Sequence, residues 1–171
     1  ASRNVALGDG VLASIPANQE IVNNIAIGNS AMNGSSSSDV NVYNNVSIGY
    51  QSMINITQGN NNTMVGNRAG NAIQNGSQNT GVGSDALYSI TSGSKNVALG
   101  AYTLDALTTT NNMTAVGHSA GSAVNHNGAE GGTFIGYESG KAVTSGGHNT
   151  SVGYQALLAN STSSFNTAIG S

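Results

Sequence analysis

Few side chains in this chain are equipped to bind a metal or move a proton. Among 171 residues there are three histidines, His118, His126 and His148, seven carboxylates and no cysteine. His126 and Glu130 stand four residues apart in the stretch AVNHNGAEGG, which brings one imidazole and one carboxylate to a single turn. A protein-only metal site takes about three or four such ligands, so one chain falls short; three copies around an axis, each giving a histidine, would complete a set. The acids Asp9, Glu20, Asp39, Asp85, Asp105, Glu130 and Glu138 do not recur at one repeat position as a pair. No Ser, His and Asp group shares a hydrolase motif, and the glycines do not form a strand-loop-helix phosphate cradle. The expectation is a protein that is not an enzyme, with no resident metal and no cofactor.

What would position these side chains is a repeat. A five-residue word, spelled NVALG, NIAIG, NTSVG or NTAIG among other variants, ends at Gly8, Gly28, Gly49, Gly66, Gly83, Gly100, Gly117, Gly136, Gly153 and Gly170. A helical hairpin of the usual repeat families does not fit this spacing, which is 17 residues over most of the chain. It suits a solenoid of short strands and turns. The whole of 1–171 reads as one all-β repeat domain of ten coils, a parallel β-roll, and as a segment of a longer fibrous array.

Alignment on the glycine defines columns that stack at ~4.8 Å per coil. The residue before it is always aliphatic, as in Ile48, Val65, Val82, Leu99, Val116, Ile135, Val152 and Ile169, and is assigned to the core. Two residues earlier the chain is β-branched, and the residue between is mostly Ala, Ser or Gly, so the small-residue face is assigned to an interface. A second apolar position (Ile56, Ile73, Ile90, Leu107, Val124, Val143) and a second glycine suggest a coil of strand, turn, strand and glycine turn. The head of the word is asparagine in eight of ten copies, including Asn45, Asn62, Asn79, Asn96, Asn149 and Asn166; stacked amides make a structural ladder.

The same stacking turns distant residues into neighbours. His118, Tyr137 and Tyr154 each follow a word-final glycine, so they are expected to stack, either as plain surface or as a platform for a glycan. Arg68 and Asp85 fall on adjacent rungs and are placed to pair. Segments that break the 17-residue rule, 9–23, 29–44 and 124–131, project as irregular loops and are candidate contact surfaces, with His126 and Glu130 in the last.

Composition narrows the partners. Only 6% of residues are charged, against roughly 25% in ordinary soluble domains, and four cations provide no basic patch for nucleic acid. No apolar run approaches the ~20 residues of a membrane-spanning helix, so direct membrane insertion is not expected. A thin file of aliphatic residues buries little area per residue, which points to an obligate oligomer.

The words NIAIG, NVALG and NTAIG resemble the repeats of trimeric autotransporter adhesin heads, the YadA-like left-handed parallel β-roll. Similar words, often continued as here in NTSVGYQAL (149–157), also recur in phage tail-fibre and bacterial surface-fibre proteins. The resemblance covers essentially the whole chain. It implies a parallel homotrimer, extracellular, on a bacterial surface or a virion tail, that attaches to a host, prey or other cell through a glycan or matrix-protein receptor. Two alternatives stand beside it: a non-binding spacer of a tail fibre, and an ice-binding solenoid suggested by Thr63, Thr80, Thr114, Thr133, Thr150 and Thr167. The orientation of that threonine column discriminates between adhesive and ice-binding readings, and Val5, Ile25, Val46 and Val97, which share the column, favour an inward file over an exposed face.

Overall fold

The computed structural model describes residues 3–15, 20–34 and 40–171. The chain is a parallel β-solenoid whose principal sheet has ten strands of three residues each. In chain order these are β1 (Val5–Leu7), β3 (Ile25–Ile27), β5 (Val46–Ile48), β6 (Thr63–Val65), β7 (Thr80–Val82), β8 (Val97–Leu99), β9 (Thr114–Val116), β10 (Thr133–Ile135), β11 (Thr150–Val152) and β12 (Thr167–Ile169). Each pairs in parallel with the next, with word against word: Thr63 lies beside Thr80, and Thr80 beside Val97.

A second sheet is only two strands wide, β2 (Glu20–Val22) with β4 (Asn41–Tyr43). The segments 9–23 and 29–44, expected to be irregular, therefore each contribute a strand near their C-terminal end; residues 16–19, with Pro16, and 35–39, the SSSSD run, lie outside the described residues. From residue 50 onward the expected second strand is replaced by turns. There the Gln74 carbonyl accepts the N–H groups of Thr57, Gln58 and Gly59, and the Thr91 carbonyl those of Gln74, Asn75 and Gly76. In the three coils from Thr57 to Gly93 one carbonyl thus satisfies three donors that a strand would spread over a ladder.

The two faces of the principal strands are the reverse of the sequence assignment. Ala26, Ser47, Met64, Ala98, Ala115, Phe134 and Ser151, the central residues of the words, are completely buried. Ile48, Val65, Val116 and Val152 are only half-buried. Val82, Leu99 and Ile135 are 37–38% exposed, and Ile169 is 79% exposed. These eight are not core; they form, with Val46, Thr63, Thr80 and their column, the outer face of the sheet. The small-residue face is the interior, so the interface assigned to it does not exist there.

The reason is volume. The wall opposite the strands carries Met32, Met53, Leu87 and Leu104 four residues after the word-final glycine, and Ile56, Ile73, Ile90, Leu107, Val124 and Val143 three residues later, all fully buried. Facing these large side chains, the strand has room only for Ala, Ser or Gly. Where the strand carries Met64 or Phe134 instead, the opposite position is Gly70 or Gly140. The core is close-packed by pairing large with small.

Two backbone features make the coil this tight. Leu87 and Leu104 adopt φ of 53° and 50°, as do Arg68, Asp85 and Tyr102 two residues earlier in their coils at 53–55°. Each of these left-handed residues costs on the order of 1 kcal/mol, offset because it turns the N–H onto an adjacent coil, as Asp85 N–H does onto the Asn67 carbonyl of the preceding coil at 2.9 Å and Leu87 N–H onto the Thr103 carbonyl of the following one at 3.1 Å. At the word-final position, a Cβ on Gly100 (φ +134°) would stand 2.7 Å from the Gly117 carbonyl carbon, so only glycine lets the coils close up.

The asparagines line the buried corner before each strand. Asn62 donates its backbone N–H to Asn45 Oδ1 at 2.8 Å and its Nδ2 to the same oxygen at 3.1 Å, and also caps the Gly76 carbonyl at 2.9 Å. Asn79 and Asn96 repeat the pattern. Met113 and Gly132 interrupt it: Gly132 N–H turns to Met113 Sδ at 3.3 Å. A second ladder, unforeseen in the sequence, runs along the outer turn, where Ser77, Ser94 and Asn111 accept the N–H of Asn60, Ser77 and Ser94 through their side-chain oxygens.

Candidate functional site

The residue after each word-final glycine leaves the sheet at a corner and points outward, so aromatic rings there stack at the coil spacing. His118 and Tyr137 are 5.6 Å apart with ring planes 17° from parallel, and Tyr137 and Tyr154 are 5.3 Å apart at 11°. Tyr102, one position later in its own coil, extends the row at 5.6 Å but is turned 67° to His118. The result is a rib of four rings over four coils. Its tyrosines are 43–58% exposed.

Beside the rib lies a fixed charge network. Lys141 Nζ donates to Glu138 Oε1 at 2.6 Å, and Gln155 Nε2 donates to Glu138 Oε2 at 2.8 Å. These two donors hold the Glu138 carboxyl below the usual carboxylate range, and Glu138 in turn raises the Lys141 ammonium. The Glu138 charge also pushes up the Tyr137 phenol. Next to this network is an open depression of about 540 Å³ with a small apolar floor, Ala123, Ala142 and Leu158, and with Asp105 and Ser122 on its rim. Burial raises the Asp105 carboxyl, whose Oδ1 is buried without a hydrogen-bond partner.

Of the five predicted contact residues, His118, Tyr137 and Tyr154 come together and the other two do not join them. His126 caps the short 3-10 turn Asn127–Ala129 by accepting the Gly128 N–H on Nδ1 at 3.1 Å. Glu130 accepts from Asn112 Nδ2 at 2.6 Å. Both are engaged within the 124–131 insertion and its neighbouring coil. Among the described residues no three His, Asp or Glu side chains converge as a metal site.

Arg68 and Asp85 pair across adjacent coils, with Nη2 donating to Oδ2 at 2.9 Å and Nε 2.8 Å from Oδ1. The guanidinium lies 5.1 Å from the centre of the Tyr88 ring. The hydrogen bond and charge of Asp85 raise the Arg68 pKa, and because the arginine is solvent-exposed the pair adds little to stability.

Sequence reasoning missed Tyr102, Glu138, Lys141 and Gln155 as members of one surface. The signal was present for Glu138 and Gln155, which share a column 17 residues apart, but Lys141 reaches Glu138 within one coil and Tyr102 joins the rib from a neighbouring column. Comparison with protein-family models, with curated proteins and with solved structures found no match.

Proposed function

We propose that this chain is a structural and adhesive segment of an extracellular fibre, assembled as a parallel homotrimer and attaching to another surface through its flank. The observation that carries the reading is the outer face of the ten-stranded sheet. Its aliphatic column from Leu7 to Ile169 and the β-branched column beside it lie on the outside while the interior is already filled. Ten rungs at ~4.8 Å make that stripe roughly 45 Å long, a regular row of partly exposed aliphatic side chains of the kind that marks an interaction surface. A second copy of the same regular face covers it with matching period. The resemblance of the repeat words to adhesin heads and tail fibres supports three copies, a bacterial-surface or virion location, and a glycan or matrix-protein receptor.

Light scattering across a dilution series tests the assembly. The expected mass is three times 17.0 kDa, 51 kDa. A folded monomer that binds no cell would sink the fibre reading, and a trimer that binds no cell would reduce it to a spacer.

One observation favours a second reading. The threonines at 63, 80, 114, 133, 150 and 167 stand on the outer face, in a regular grid with the aliphatic column. Such a flat hydroxyl-and-methyl array is what an ice surface requires. Monomer mass together with measurable thermal hysteresis would replace the fibre reading with this one.

A further inference from the structure

The adhesive reading leaves the ligand class open, and the flank of the coils between Gly100 and Gly153 narrows it. The position after the word-final glycine carries Asp9, Asn29, Tyr50, Asn67 and Ser84 in the five preceding coils, one isolated ring among five, so the fold does not call for rings there. Yet Tyr102, His118, Tyr137 and Tyr154 occupy consecutive coils of this one stretch, exposed to water. The same coils hold the oriented Glu138 carboxylate and the depression rimmed by Asp105 and Ser122.

We infer that this flank is a glycan-binding site, taking an extended oligosaccharide of neutral or amino sugars laid along the solenoid axis; the inference rests on the adhesive reading above. Three features select that class. The rings recur once per coil with centroids 5.3–5.6 Å apart, comparable to the advance of one pyranose in an extended chain, so successive sugars meet equivalent surroundings. His118 and Tyr137 have rings on both sides and present edges and polar tips, whereas Tyr102, turned out of the stack, and Tyr154, at its end, each keep a ring face that no other ring covers among the described ring contacts. Those two faces suit sugar C–H surfaces, and the tyrosine hydroxyls suit sugar hydroxyls at low entropic cost. Finally, the depression is lined by two carboxylates, Asp105 and Glu138, and one ammonium, Lys141, so the flank is slightly acidic and disfavours sulfated or sialylated chains.

The test uses the fluorescent chain on bacterial and animal cells that are intact, periodate-oxidised or protease-treated, and on a printed array of neutral, amino-sugar, sialylated and sulfated glycans. Attachment should fall at least tenfold after periodate, survive protease, and appear on neutral or amino-sugar spots. Tyr102→Ala and Tyr154→Ala should each weaken it at least tenfold, whereas Tyr50→Ala, the same column outside this stretch, should change it less than twofold. All three positions are exposed, and circular dichroism checks that each variant folds. Attachment that resists periodate, or that is lost equally in Tyr50→Ala, overturns the glycan site while leaving the adhesive reading intact. Array binding without cell attachment overturns the adhesive reading alone, and absence of both overturns the two together.

Discussion

Phe134 fills the space that a side chain at Gly140 would need. A Cβ on Gly140 would overlap the Phe134 ring, and one on Gly121, in the preceding coil, would come within 2.9 Å of it. Elsewhere the same opposite-wall position holds Leu87 or Leu104, facing Gly81 or Ala98. The two walls of the roll therefore share one volume, and each coil divides it differently.

This division predicts a compensating pair. Phe134→Ala should cost about 3–5 kcal/mol by urea unfolding, since the ring is fully buried. Gly140→Leu alone should cost about 1–3 kcal/mol by overpacking. The double variant should be more stable than the sum of the two losses predicts, because φ at position 140 is +62° and Leu87 already tolerates 53°. Strict additivity would mean that the two walls do not share volume.

Removing one amide from the ladder should be costly at a single buried position. Asn79 donates to the Gly93 carbonyl at 2.8 Å and accepts from both nitrogens of Asn96 at 3.0 Å. Asn79→Ala strands these groups, with an expected loss of about 2–4 kcal/mol. Asn67→Ala, exposed and outside the ladder, should lose less than about 0.5 kcal/mol.

The outer face should tolerate polarity that a core would not. Leu99→Lys, near the middle of the stripe, is expected to keep the β circular-dichroism signal while lowering the solution mass towards 17.0 kDa. Loss of all structure at any protein concentration would contradict the outward orientation of this column.

Acid should weaken the flank through Glu138. Its folded-state pKa is lowered, first by Lys141 and then by Gln155, so its contribution is present above the ordinary value of 4.5 and lost as pH falls through the lower folded value. Melting temperature followed from pH 7 to pH 2 should therefore drop less in Glu138→Gln than in the wild type.

Asp105 has the opposite sign. Burial raises its pKa above 3.8, so the folded state holds its proton more tightly and the charged carboxylate is unfavourable at neutral pH. Asp105→Asn should raise the melting temperature at pH 7 and have little effect at pH 2. A destabilised variant at pH 7 would show that the carboxylate is satisfied in a way its buried Oδ1 does not suggest.

The repeat spacing alone determined which residues are neighbours. In a solenoid the next coil is one period away, so Asn62 over Asn45, Arg68 beside Asp85 and Tyr154 over Tyr137 are legible as offsets of 17 residues. Alternation along three residues likewise separates the centre of each word from its ends. What it cannot decide is which of the two faces looks inward, because that depends on the chain segment opposite. Only the tertiary structure decided that Leu87, Leu104 and Ile90 supply the core volume, which leaves the strand's inner face to alanine, serine and glycine and drives Val82 and Leu99 outward. The same holds for the turns that replace the second strand and for the Tyr102, Glu138 and Lys141 surface, which arise from left-handed corners and cross-column reach rather than from the period.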